Sequence, residues 1–232
     1  MKIEKWKLVE GSREARGTVV IIDVFRAFSV SCYLVANGAE RIYPVGSVEE
    51  ARRLKEQNPE YVLIGERKEK MCEGFDFGNS PTHILHQNFT GKTVIHTTSS
   101  GTQGICNAVH ASEILTGSFV NAKAIVAYLQ QTNPPLVSLV GMGYEGIRPS
   151  QEDDFCADYI ENELLGLETD FDIMKSILRT GDGARLLDPK NHDHSPASDF
   201  DLCLDRDKFN FVLVVKKDEL GQNYLAREDV TL

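Results

Sequence analysis

The chain has 232 residues, is 41% hydrophobic and carries a formal net charge of −10. It can bury one substantial core, holds no apolar run long enough to cross a bilayer, and is expected to be a soluble, cytoplasmic domain spanning 1–232. The acidic balance argues against nucleic acid as a partner, since backbone binding needs a concentrated basic surface. A small anion can still bind where arginines, helix N-termini or a divalent cation overcome the overall field. The five cysteines, Cys32, Cys72, Cys106, Cys156 and Cys203, are scattered without a CxxC pair. That spacing speaks against a disulfide framework and against structural zinc. Cys32 and Cys106 fall in helical patterns and are expected in the core.

Strand and helix signals alternate along the chain. Thr18 to Ile22 is a β-branched run suited to a strand covered on both faces, and it ends at Asp23. A helix from about Ser29 to Asn37 should stop at Gly38. Arg41 to Val45 reads as the next strand, and Ser47 to Glu50 as a capping box opening a helix. Tyr61 to Ile64 is strand-like and delivers Gly65, Glu66 and Arg67 to a polar loop that runs through Asn79. Pro81 suits the first turn of a short helix. Thr93 to His96 forms a strand leading into Thr97–Gly101, with a helix from about Thr102. Leu136 to Val140 is a further strand, and Glu152 to Leu165 a helix. Thr180 to Asp201 reads as a long polar loop, and Phe211 to Val215 as a last strand before a polar tail. The alternation predicts a three-layer α/β/α domain on a largely parallel mixed sheet.

Each strand of this set ends in an acidic or hydroxyl-rich loop. Ligands of open α/β sheets bind beyond the carboxyl ends of the strands, so Asp23, Glu66, Asp76, Thr97–Thr102 and Glu145–Asp154 should gather along one rim. Asp23 is either a cap of the coming helix or a metal-ligating or base carboxylate. Arg26 is either a surface ion-pair residue or a clamp for phosphate or sulfonate, whose geometry its fork matches. Glu66 and Asp76 are either solvated charges or hard oxygen ligands for Mg²⁺. Glu152 and Asp153 serve the helix dipole or a metal equally well. Asn79 and Ser80, with Thr97, Thr98, Ser99, Ser100, Gly101 and Thr102, form two candidate anion cradles before helices. Neither a P-loop nor a GxGxxG follows a strand, which disfavours a nucleotide. His192 and His194 are expected in solvent rather than in the site.

At these residues the sequence resembles the 2-phosphosulfolactate phosphatase family, Mg²⁺-dependent enzymes of the coenzyme M pathway. The resemblance runs from about Thr18 to Leu165. It rests on Ile22–Ala27, Asn37–Ala39, Gly65–Arg67, Gly74–Pro81, Gly91–Thr102 and Glu152–Ala157, in that order. Ser99 and Ser100 stand where the family usually has Thr and Asn, Asp158 where it tends to have Gly, and Phe28 where many members have a small polar residue. The resemblance implies hydrolysis of a phosphate monoester of a small anionic hydroxy acid. Asp23 and Arg26 would be catalytic, and Asp23, Glu66, Asp76, Glu152 and Asp153 the pool of metal ligands. An aspartyl-phosphate on Asp23 is the mechanistic alternative, although the usual second Asp two residues on is here Phe25. A non-catalytic binding protein or sensor for an anionic metabolite is the alternative of a different class. An α/β enzyme of this size is commonly a homo-oligomer.

Overall fold

A computed structural model describes residues 1–231 of the protein. Its elements run β1 (Lys2–Lys7), α1 (Leu8–Glu14), β2 (Gly17–Ile22), α2 (Ala27–Ala36), β3 (Arg41–Pro44), α3 (Val48–Gln57) and β4 (Val62–Arg67). There follow β5 (Lys70–Met71), α4 (Pro81–Ile84), β6 (Thr93–Thr97), α5 (Gly101–Asn107), β7 (Ala111–Gly117), α6 (Ala122–Thr132) and β8 (Leu136–Gly141). The chain ends with α7 (Gln151–Leu165), α8 (Phe171–Thr180), α9 (Ala184–Leu187), α10 (Ser198–Cys203), β9 (Phe211–Lys217) and β10 (Asn223–Asp229).

The ten strands form one mixed sheet in the order β1-β8-β2-β7-β9-β10-β3-β6-β4-β5. Two parallel blocks, β1-β8-β2-β7 and β3-β6-β4, are joined by the antiparallel pair β9–β10. That pair corrects the expected polar tail: Asn223–Asp229 is a strand at the middle of the sheet, bridging β9 and β3. Its sequence hides it, because only Leu225 is buried within it.

Alternate side chains of each strand enter opposite layers, as a pleated strand requires. Val19 and Ile21 of β2 pack with α2 and α5, whereas Val20 and Ile22 pack with α6 and α7. The fold is thus the three-layer α/β/α arrangement. Helix α2 is apolar on every side, and nine of its ten residues are buried, as a helix enclosed by other elements must be. It contacts side chains of both parallel blocks, among them Ile21 and Ile64. Five strands separate β2 from β4 in the sheet order, which in a flat sheet would hold their ends ~29 Å apart. Wrapping the sheet around α2 brings those ends to one cavity.

Several local expectations change. Gly65–Arg67 belong to β4 itself rather than to a loop. Ser47 accepts the Glu50 N–H at 3.0 Å, which is half of the capping box. The supposed loop at 180–201 contains α9, α10 and a short 3₁₀ turn. Cys32 is buried as expected, but Cys106 is exposed near the end of α5. No helix among the described residues is long and apolar enough to cross a membrane.

Candidate active site

Asp23 follows the last residue of β2 and serves both of the roles open to it. Its Oδ1 accepts the Ala27 N–H at 3.1 Å and starts α2, while the residue lines a small cavity at the carboxyl ends of the strands. Only glycine fits at 101, because a Cβ there would stand 2.8 Å from Asp23 Oδ2. Burial, with Glu66 and Glu152 nearby, pushes the Asp23 carboxyl up to about 7. Asp153 ties this end of the site together. Its two oxygens accept N–H bonds from Val24 at 2.8 Å and Gly143 at 2.7 Å, joining the ends of β2 and β8.

Arg26 is 3% exposed and follows a cis peptide from Phe25. Its Nη1 donates to Asp199 Oδ2 and to the His194 carbonyl, both at 2.8 Å. Nη2 has only a long contact, 3.4 Å to the Glu69 carbonyl, which leaves that edge of the fork for the cavity. The Asp199 Oδ1 accepts from Ser80 Oγ, the Thr82 N–H and Thr82 Oγ1. Asp199 therefore fixes Arg26 and the start of α4 with one fully buried carboxylate.

Glu66 organises the opposite wall. It accepts the Ser99 N–H at 2.6 Å and the Glu69 N–H at 2.8 Å. The second bond holds the two-residue turn Lys68–Glu69, both of whose φ angles are positive (53° and 65°). That is the backbone a tight hairpin demands and Asn-Gly usually supplies. Asn79 lines the cavity and accepts from His96 Nε2 at 3.2 Å. This pairing leaves the Asn79 amide N–H groups for other partners, and His96 Nδ1 lies 3.3 Å from Ser31 Oγ, which also donates to the Ala27 carbonyl at 3.0 Å. Burial lowers His96 to about 4, so its imidazole is neutral at physiological pH. Its ring proton NMR signals are expected to stay unshifted between pH 8 and 5.5. A midpoint near 6.5 would contradict this arrangement.

Arg185 of α9 closes the outer side, between the rings of Phe25 and Tyr144, whose centroids lie 5.5 and 5.3 Å from its guanidinium carbon. It bridges Glu69 at 2.9 Å and Glu152 at 3.0 Å. These carboxylates raise its pKa above the usual value despite the burial. Glu152 is 2% exposed, and its Oε2 is buried without a partner.

The strand-end geometry brings together Asp23, Arg26, Glu66, Asn79, Ser99 and Ser100, with Glu152 behind Arg185. It does not bring Asp76, whose carboxylate accepts the Leu63 N–H at 2.7 Å, lies 3.8 Å from Lys55 and is 45% exposed. Nor does the hydroxyl loop form an open cradle. Thr97 accepts from Arg67, Thr98 and Thr102 bond one another, and Ser99 donates to Glu66. Ser100 Oγ donates to the Gly143 carbonyl at 2.7 Å, and Ser80 is spent on Asp199. The loop residues shape the wall rather than offering a row of free donors. Glu69, Tyr144, Arg185 and Asp199 escaped the sequence reading. His194 enters only through its carbonyl.

No three His, Cys, Asp or Glu side chains form a ready ligand cluster among the described residues. Glu66 and Asp153 are committed to N–H donors, which leaves Asp23 and the unpartnered Oε2 of Glu152. Mg²⁺ is commonly held by one or two carboxylates, with water and substrate phosphate completing its shell. The Asp23 and Glu152 donors fit that ion.

The model of the family described as 2-phosphosulpholactate phosphatase matches residues 5–218. The chain belongs to this family. Membership makes it a phosphoric monoester hydrolase. A probable 2-phosphosulfolactate phosphatase of Caldanaerobacter subterraneus subsp. tengcongensis is 33% identical over 217 residues, covering 85% of this chain and 87% of that protein. One of Clostridium acetobutylicum is 40% identical over 146 residues, or 62% of this chain and 61% of the relative. A Bacillus subtilis protein of the same name is 35% identical over 150 residues, covering 63% and 64%. The matched region of the family model includes Asp23, Arg26, Glu66, Glu69, Glu152, Arg185 and Asp199, and so extends past the motifs recognised in the sequence.

Proposed function

We propose that this enzyme hydrolyses 2-phosphosulfolactate to 3-sulfolactate and inorganic phosphate, with Mg²⁺ as cofactor. The observation that carries the reading is a single cavity lined by a buried Asp23, a buried Arg26 and a half-buried Arg185. An anionic ester needs such cations in a protein of net charge −10. The Arg26 Nη2 edge and the Asn79 amide bind the phosphoryl oxygens. Asp23 Oδ1 is committed to the Ala27 N–H, so Oδ2 orients the attacking water and takes its proton. As the new P–O bond forms the ester P–O bond breaks; the leaving alcohol oxygen takes a proton from solvent water, and Asp23 returns its own to solvent. Glu152, through its unpartnered Oε2, would hold Mg²⁺, which when bound neutralises charge on the transferring phosphoryl group. The cavity wall two residues beyond Asp23 is Phe25, which cannot act as the acid that an aspartyl-phosphate route requires.

The test is phosphate release from 2-phosphosulfolactate by the purified protein. Turnover with Mg²⁺ should fall to background in EDTA and return when Mg²⁺ is restored. Absence of release from this ester and from other small phosphorylated hydroxy acids would overturn the assignment.

A further inference from the structure

The cavity has about 30 Å³ of free volume, room for little more than one water molecule. A phosphorylated hydroxy acid with further anionic groups is several times larger, so its non-reacting groups must lie toward the open side of the cavity, where Arg185, Glu69 and Tyr144 stand. Most of the cavity wall is fixed. Arg26 and Asn79 are buried and held by Asp199 and His96, and Glu66 is pinned by two N–H donors. Less tightly enclosed are the Tyr144–Glu145 turn and the Arg185–Glu69 contact, of which only the contact holds a cation paired with a carboxylate. Glu69 sits on the turn after β4 with its side chain 19% exposed, whereas the other partner of Arg185, Glu152, is 2% exposed.

We infer that Arg185 is a specificity-determining residue that exchanges partners. In the empty site it holds Glu69 and Glu152; when substrate enters, it releases Glu69 and takes the non-reacting anionic group in its place. The inference rests on the phosphatase reading for its substrate, but not for its binding chemistry. Three features support the exchange. The guanidinium presents Nε toward Glu69 at 2.9 Å, so a sulfonate or carboxylate arriving there meets a donor already aimed. Nη1 and Nη2 stay anchored to the Asp182 carbonyl at 2.6 Å and to Glu152 at 3.0 Å, so the fork keeps its plane while one partner changes. The rings of Phe25 and Tyr144 hold that plane from the sides. Outward displacement of Glu69 also makes room, and it removes a negative charge from the path of an anionic ligand. Arg185 retains Glu152 throughout through Oε1, which leaves Oε2 free.

The test combines binding and turnover. Calorimetry with 3-sulfolactate, which lacks the phosphoryl group and keeps the sulfonate and the carboxylate, reads the non-reacting anionic groups without the reacting one. Arg185→Gln should weaken its binding at least ~30-fold, and Arg185→Lys should recover only part, because an ammonium lacks the fork. Glu69→Gln should instead tighten binding several-fold, since the departing competitor is gone; a merely structural Glu69–Arg185 bridge predicts no gain. In turnover, Arg185→Gln should reduce the kcat/KM ratio between 2-phosphosulfolactate and a monoester without a second anion, such as phenyl phosphate, by a similar factor. Hydrolysis by the wild type with an unchanged ratio in Arg185→Gln, or weaker 3-sulfolactate binding in Glu69→Gln, overturns the inference and leaves the phosphatase reading intact. Arg185-dependent binding of 3-sulfolactate without hydrolysis of any ester would sustain the exchange and overturn the phosphatase reading.

Discussion

Phosphate release by Asp23→Asn is expected to fall about a thousand-fold, while the metal-free variant, in EDTA, melts at a higher temperature than the metal-free wild type at pH 8. Loss of a positioned proton acceptor costs on the order of 10²–10⁴ in rate, and Asn cannot take the proton of the attacking water. The stability gain has its own origin. Burial and the nearby Glu66 and Glu152 raise Asp23 to about 7 from its ordinary 3.8. Between those pH values the native state binds more protons at this site than the unfolded chain does. Stability contributed here is therefore present below about pH 4, is lost as pH rises toward 7, and is fully lost above it, at a cost on the order of 4 kcal/mol. Asn keeps an oxygen for the Ala27 N–H and has no charge to bury. Its advantage in melting temperature should thus be largest above pH 7 and close as the pH approaches 4. A variant that melts lower than wild type at pH 8 would show that the Asp23 environment is misassigned.

Arg26→Ala should lose both activity and fold stability, and the two losses can be separated. Removing the guanidinium leaves Asp199, fully buried, without its cation. Breaking a buried ion pair from one side costs about 3–5 kcal/mol, which urea denaturation would read as a lower midpoint at unchanged slope. Catalysis should drop at least ~100-fold, since the free Nη2 edge is the donor aimed at the phosphoryl group. Arg26→Lys should restore much of the stability, because a cation again faces Asp199. It should restore little of the rate, since an ammonium cannot hold Asp199 and a phosphoryl oxygen in one plane. Asp199→Asn is the converse case: Arg26 stays charged but loses its anchor, and KM should rise more than kcat falls. Equal recovery of stability and rate in Arg26→Lys would reduce Arg26 to a structural cation.

The parts legible in the sequence were those with local signals. The β-branched run at 18–22, the Gly-bounded 74–81 segment and the carboxylates at the strand ends follow from periodicity and turn chemistry. Asp23, Arg26, Glu66, Asn79 and Glu152 could be picked out that way. Asp76 shows the limit, because a carboxylate beside the same loop points back to the start of β4 and caps the Leu63 N–H. The hydroxyls of 97–102 looked like anion donors because sequence gives no view of the acceptors that consume them. Arg185 and Asp199 were hidden for another reason. They lie on helices of four and six residues in a stretch rich in Gly, Pro and Asp, too short for a helical period to register. Glu69 sits in a tight turn made by Lys and Glu, without the Asn-Gly that announces such turns. The two parallel blocks that carry the site are joined through β10, whose polar sequence carries no apolar alternation.

Central to all of this is which strand-end carboxylates share the cavity, and Asp76 provides the control. The direct measurement is phosphate release from 2-phosphosulfolactate by Asp23→Asn and Asp76→Asn side by side, each corrected for the folded fraction. The geometry requires a loss of about a thousand-fold in Asp23→Asn and a rate within roughly two-fold of wild type in Asp76→Asn. A collapse of activity in Asp76→Asn, or full activity in Asp23→Asn, would contradict it.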